Sequence, residues 1–107
     1  MADDDLVSVL IGPLQNGDPY AVRALWDRYF HRLVALAQKR LLNVPRRAAD
    51  EEDMALSAFN SFCEWVAQGR CPENIDRNSL WRLLATFTVR KVSHYIRAQR
   101  ARPGRNG

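Results

Sequence analysis

Between Asp18 and Leu41 the chain repeats apolar side chains at the spacing of an α-helix, and this stretch limits the fold more than any other feature. Val22, Leu25, Trp26, Tyr29, Phe30, Leu33, Leu36, Ala37 and Leu41 share one broad arc. Arg23, Asp27, Arg28, His31, Arg32, Gln38 and Lys39 fall mostly off it. A stripe this wide belongs to a core helix. Asp18 supplies an N-cap carboxylate for backbone N–H groups that lack partners, and Pro19 suits the first helical position, where no N–H is needed. Val44-Pro45 is expected to end the helix, because the residue before a proline is pushed out of helical geometry.

Three further stretches carry the same period. The first runs from Leu6 to about Leu14 and closes at Asn16-Gly17, a pair that favours a turn. Another starts near Asp50, whose side chain can cap, with Asp53 three residues on at the positive end of the helix dipole. Its inward arc is predicted to be Ala55, Leu56, Phe59, Phe62, Cys63 and Val66, with Asp53, Ser57, Asn60, Ser61, Glu64 and Gln68 facing away. Residues 69–78 hold a glycine, a proline and several polar side chains and read as a loop. Ser79 or Asn78 then caps a last helix, about 79–102.

A length of 107 residues with 47% hydrophobic content suits one domain with a modest core, and five Gly and five Pro leave little room for a many-turned β fold. The expected fold is all-α: a compact bundle of four helices, a short first one and three longer ones, over residues 1–107. Residues 1–5 would be an acidic tail and 103–107 a flexible basic tail or the start of a linker. Asp3, Asp4 and Asp5 read either as tail or as a first-turn charge cluster, with no function assigned.

No window approaches the roughly 18 to 20 apolar residues that a membrane helix needs, and Met1 to Asp5 is acidic where a signal peptide is basic. A cytoplasmic protein without a membrane partner is expected. Cys63 and Cys71 are too few for a disulfide scaffold and lack the second half of a zinc site, so both read as small core or loop residues. No nucleophile with base and orienter, phosphate-cradling glycine loop or metal-ligand cluster is visible, so neither an enzyme nor a cofactor is expected.

Charge is split along the chain. Residues 1–76 carry eight Lys plus Arg against twelve Asp plus Glu, whereas residues 77–107 carry eight basic residues and no acid. The split reads either as two partner surfaces of opposite sign, the basic one suited to phosphates, or as a soluble helix with a disordered basic tail, and charge alone does not choose between them. In the last helix Leu80, Leu83, Leu84 and Phe87 share an arc that continues into Lys91 and His94 instead of apolar groups. The hidden side must therefore move. Val89, Val92, Tyr95 and Ile96 become the apolar side, and Arg90, Lys91, His94 and Arg97 form a cationic ridge opposite, of the kind that contacts nucleic acid. His94 there serves either as a contact or as a solvated histidine, and His31 reads as exposed.

With these residues in view, the chain resembles region two of bacterial sigma factors of the extracytoplasmic-function (ECF, group four) class, over about residues 6–103. Gly17-Asp18 with Ala21, Leu25 and Tyr29 is similar to the opening of the family's region 2.1 helix. Asp50-Glu51-Glu52-Asp53-Met54 with Phe59 is similar to region 2.2. Arg90 with the run His94 to Gln99, leading into Arg102-Pro103, is similar to the end of regions 2.3 and 2.4.

The resemblance implies a promoter-specificity subunit that docks on the β′ clamp helices of RNA polymerase core and recognises and helps melt the minus-ten element. By position, Asp50, Asp53, Leu56, Ser57 and Asn60 form the polymerase-docking face. The melted non-template strand would pass the 69–78 loop, with Arg70, Asn74, Arg77 and Asn78, and the ridge of Arg90, Lys91, His94 and Arg97. In this family the loop holds a flipped minus-ten base, and an anti-sigma factor is a frequent further partner. Leu56-Ser57 stands where the family usually has Gln-Glu, so docking is expected to differ in detail. The family's tryptophan early in region 2.3 aligns with Leu83, and Trp81 is expected to pack under the loop instead. The chain stops at Gly107, before the family's helix-turn-helix domain for the minus-thirty-five element, which reads as a cut-down or a stand-alone region two. A rival from another class is a small helical protein-interaction domain with a basic tail and no promoter recognition.

Overall fold

The apolar periodicity is realised as four helices: α1 (Ala2–Gln15), α2 (Pro19–Arg40), α3 (Asp50–Ala67) and α4 (Arg77–Ala101). The computed structural model describes residues 2–42, 50–72 and 75–101, with side chains from Val9 to Arg100 within those ranges. The expected helix end at Val44-Pro45, Asn74 and the tail at 103–107 lie outside the described residues. Among the described residues the fold is an all-α bundle, and no helix is long and apolar enough to cross a membrane.

Local chemistry explains most boundaries. α1 begins at Ala2 rather than Leu6, so Asp3, Asp4 and Asp5 lie within the helix and not in a tail before it. It ends at Gly17, whose φ of 74° is left-handed; the Gly17 N–H donates to Leu14 O and the Asp18 N–H to Pro13 O, each at 3.0 Å. These two bonds make a Schellman motif. Asp18 then caps α2 by accepting the Tyr20 N–H at 2.9 Å. α2 stops at Arg40, short of the expected proline, because the Leu41 N–H is shared by Ala37 O and Gln38 O while the Leu41 side chain is fully buried. α3 ends as α1 does: Gly69 has φ 78°, its N–H donates to Val66 O, and the Arg70 N–H donates to Trp65 O.

The core has two parts. The larger joins Ile11 and Leu14 of α1, Leu25, Tyr29 and Leu33 of α2, Phe59 and Phe62 of α3, and Leu80 and Leu84 of α4. The smaller lies where Ala37 and Leu41 meet Val92, with Met54, Tyr95 and Ile96 packed on it. Ala58 of α3 is buried, and Leu56, expected to point inward, is 47% exposed. Phe59 and Phe62 fix the centre of the buried arc, and Leu56 falls beyond its edge.

Candidate nucleic-acid interface

α4 crosses from one part of the core to the other, and its hidden side turns as it does so. Its buried row is Leu80, Leu84, Thr88 and Val92. An i, i+4 row drifts by about 40° per step around an α-helix, so this row carries the inward face around the helix axis. Thr88 sits at the crossover, fully buried, its hydroxyl donating to Leu84 O at 2.9 Å. The hydroxyl is thereby satisfied within its own helix.

The turn of the face frees a polar arc. Arg90, His94 and Arg97 are exposed and Lys91 is half-buried. Arg97 Nη2 approaches His94 Nδ1 at 3.4 Å. Among the described residues none of these four side chains makes an ion pair with a carboxylate. Ser79, Arg82 and Thr86 share the arc, all of them within about 80° of Arg90 and Arg97 at 100° per residue. The track from Arg82 to Arg97 is about 22 Å long at 1.5 Å per residue. Arg82 was missed in the sequence; its i, i+4 relation to Thr86 and Arg90 was the available signal.

At its N-terminal end this arc opens on a cleft of about 670 Å³ beneath the α3–α4 loop. Trp65, Pro72, Ile75 and Leu83 form its apolar wall, and Arg70, Asp76, Ser79, Arg82 and Thr86 its polar rim. The loop is pinned from below, since Cys71 and Ile75 are buried and Gln15 of α1 donates its side-chain amide to Cys71 O at 3.3 Å. The helix start differs from expectation. Asp76, not Asn78 or Ser79, caps α4, accepting the Ser79 N–H at 2.7 Å. That backbone bond, then the Ser79 side chain and the charge of Arg82, hold the Asp76 carboxyl below its ordinary value of 3.8.

Arg77 and Asn78 stand apart from the ridge. They line a second cleft, about 550 Å³, together with Arg28, Tyr29 and Arg32 of α2. Trp81 is a packing residue, but against α2 and not under the loop as expected: its ring stacks on Tyr29 at 6.1 Å and the Arg32 guanidinium lies 4.0 Å above it. Of the residues expected at the nucleic acid, Arg70 therefore shares a face with the ridge, and Arg77 and Asn78 do not.

The other charged surface is on α3. Asp53 and Asn60 are exposed alongside Leu56, and Ser57 is half-buried. Glu64, exposed and four residues beyond Asn60, continues the same stripe. Asp50 is half-buried, and its Oδ2 accepts the Tyr95 hydroxyl of α4 at 2.7 Å. Cys63 is half-buried, and burial first, then Glu64, pushes its thiol from 9.0 up to about 11. Burial also raises the Cys71 thiol. Among the described residues no group of three or more His, Cys, Asp or Glu is placed to hold a metal ion.

No curated protein and no solved structure matches the chain significantly. A family model described as ECF sigma factor matches residues 4–107, a span that takes in all four helices from the first turn of α1. Members of that family act in transcription initiation with RNA polymerase and promoter DNA. On that match and on the helical bundle that carries it, the chain belongs to the ECF sigma factor family.

Proposed function

We propose that this domain docks through α3 on the β′ clamp helices and holds the non-template strand of the minus-ten element along α4, which helps to melt the promoter. The observation that carries the reading is the arc from Arg82 to Arg97, continuous with the cleft under the loop, on which Arg90, Lys91, His94 and Arg97 make no ion pair with a carboxylate among the described residues.

The chemistry divides between arc and cleft. Guanidinium and ammonium groups on the arc bind phosphates and supply affinity that falls with salt, without reading sequence. The cleft offers an indole and aliphatic wall with a polar rim, which suits a base taken out of its stack. Capture of that base offsets the few kcal/mol lost on unstacking, so opening needs no nucleotide hydrolysis. Selectivity then belongs to the rim, where Asp76 accepts from an exocyclic amine and Arg70 or Arg82 donates to a base edge or holds a phosphate. Asp53, Leu56, Ser57 and Asn60 form the clamp contact, with Glu64 extending it and Asp50 tied to Tyr95 at its edge.

The test compares a single-stranded minus-ten-like oligonucleotide with a scrambled one, with polymerase core present. Tighter binding of the first is expected; equal binding at matched salt overturns promoter recognition and favours a protein-interaction domain. Reversal of Arg90, Lys91 and Arg97 to Glu should abolish DNA binding with the helical circular dichroism unchanged. Loss of helicity on that change would show the ridge to be structural.

A further inference from the structure

The second cleft, between α2 and the first turn of α4, has no part in the reading above. Its walls are Arg28, Tyr29, Arg32, Arg77 and Asn78. Three guanidinium groups from two helices converge on one concave surface. Arg32 is held in place: it lies over the Trp81 ring at 4.0 Å and over the Tyr29 ring at 5.8 Å, and it has no carboxylate partner among the described residues. Stacking fixes the plane of a guanidinium and leaves its edge of N–H donors in that plane for an acceptor. Arg28 and Arg77 each already make an interaction within the chain, but a guanidinium has five N–H donors and can serve two acceptors. Tyr29, on the same wall, carries a buried hydroxyl with no hydrogen-bond partner among the described residues.

Position adds to charge. Asp76 and Ser79 border the cleft under the loop, whereas Arg77 and Asn78 border the arginine cleft. The two clefts flank the same first turn of α4. A helix is about 10–12 Å across, a distance covered by roughly three nucleotides at a stacked rise of 3.4 Å. We propose that the Arg28–Arg32–Arg77 cleft is a phosphodiester-binding site that takes the backbone of the same single strand whose base enters the cleft under the loop. This rests on the promoter reading for the identity of the strand, and on the cleft alone for the phosphate.

The test titrates the full chain with labelled single-stranded minus-ten-like and scrambled oligonucleotides over a range of salt, and in parallel with sodium pyrophosphate. Arg32→Gln and Arg77→Gln, on different helices, should each weaken both strands several-fold by the same factor. Each should also lower the steepness of log K against log salt by about 0.7, the loss of one phosphate contact on a single strand. Arg32→Lys keeps the charge and should keep the slope, which separates lost phosphate binding from lost stacking on Trp81.

An unchanged slope in both glutamine variants, with helicity intact, overturns the proposal. So does weakening confined to the minus-ten-like strand, because the cleft would then read bases. Pyrophosphate binding that is lost in Arg32→Gln while the DNA slope stays fixed makes the cleft a site for a free anion and overturns its assignment to the strand. Equal binding of the two strands by the wild-type chain overturns the promoter reading alone, and the slope change still decides the cleft. Absence of binding to either strand, with or without polymerase core, overturns both.

Discussion

Tyr95 reaches across to α3, and its hydroxyl donates a hydrogen bond to Asp50 Oδ2 at 2.7 Å. The residues are 45 positions apart, and the bond ties the first turn of the proposed docking helix to the second half of the proposed DNA helix. In the sequence Asp50 read as a cap and Tyr95 as part of an apolar side, and nothing in spacing alone pairs them. A hydrogen bond to a carboxylate contributes about 1.5–3 kcal/mol when buried and less when water competes. Tyr95→Phe should therefore cost about 1–2 kcal/mol. Urea unfolding with an unchanged m-value checks this. Cys63 gives a second prediction at this scale. With its thiol pushed to about 11, the reactive thiolate is scarce at pH 8, and alkylation of the native protein should be slow until urea exposes the residue. The folded chain holds this proton more tightly than the unfolded one. The associated stability is complete below pH 9 and is lost as the pH rises towards 11. Faster labelling of the native than of the unfolded chain at pH 8 would contradict the burial argument.

Helix starts and helix faces differ in how far sequence reveals them. The start of α2 was legible because Asp18 and Pro19 each have one physical use at that point. The start of α4 was not: Asp76, Asn78 and Ser79 are all capping residue types, and only the course of the loop anchored by Cys71 and Ile75 selects Asp76. The four helices and the cationic ridge could be read from period. Leu56 could not be placed, since periodicity finds the centre of an arc and leaves its edges to packing. The turning of α4 was legible from Lys91 and His94, but its pivot at Thr88 was hidden because a buried threonine looks polar until its hydroxyl is seen bonded to Leu84. Asp76→Asn tests the α4 start. Asparagine caps about as well as aspartate, so stability near neutral pH should hold. The native Asp76 carboxyl is lowered below 3.8, so wild type keeps this contribution above that value and loses it as the pH falls below. The variant should lose less than wild type between pH 4 and pH 2, followed by thermal unfolding; parallel curves would remove Asp76 from the acid response.

At the scale of the molecule, 52 × 25 × 21 Å in extent, acids and bases are sorted by helix. The first turn of α3 holds four carboxylates, and α4 holds no acid along its whole length. Such sorting costs little in folding while the two faces meet different partners, because each partner supplies the opposite charge. The faces should then be separable by mutation. Asp53→Arg or Asn60→Arg should weaken association with the β′ clamp helices, as a misplaced cation on a docking face loses an attraction and adds a desolvation cost. Neither should change the salt dependence of binding to single-stranded DNA. Reversal of Arg90, Lys91 and Arg97 should do the opposite. Residues on faces that share no partner give additive effects within about 0.5 kcal/mol, so the combined variant should show the sum of the two losses in a pull-down and an anisotropy titration. Coupling well beyond that margin would mean that docking and strand capture share a common element. The Asp50–Tyr95 bond is the contact to suspect, since it joins the tip of the docking face to the ridge helix, and Tyr95→Phe in the same background should then abolish the coupling.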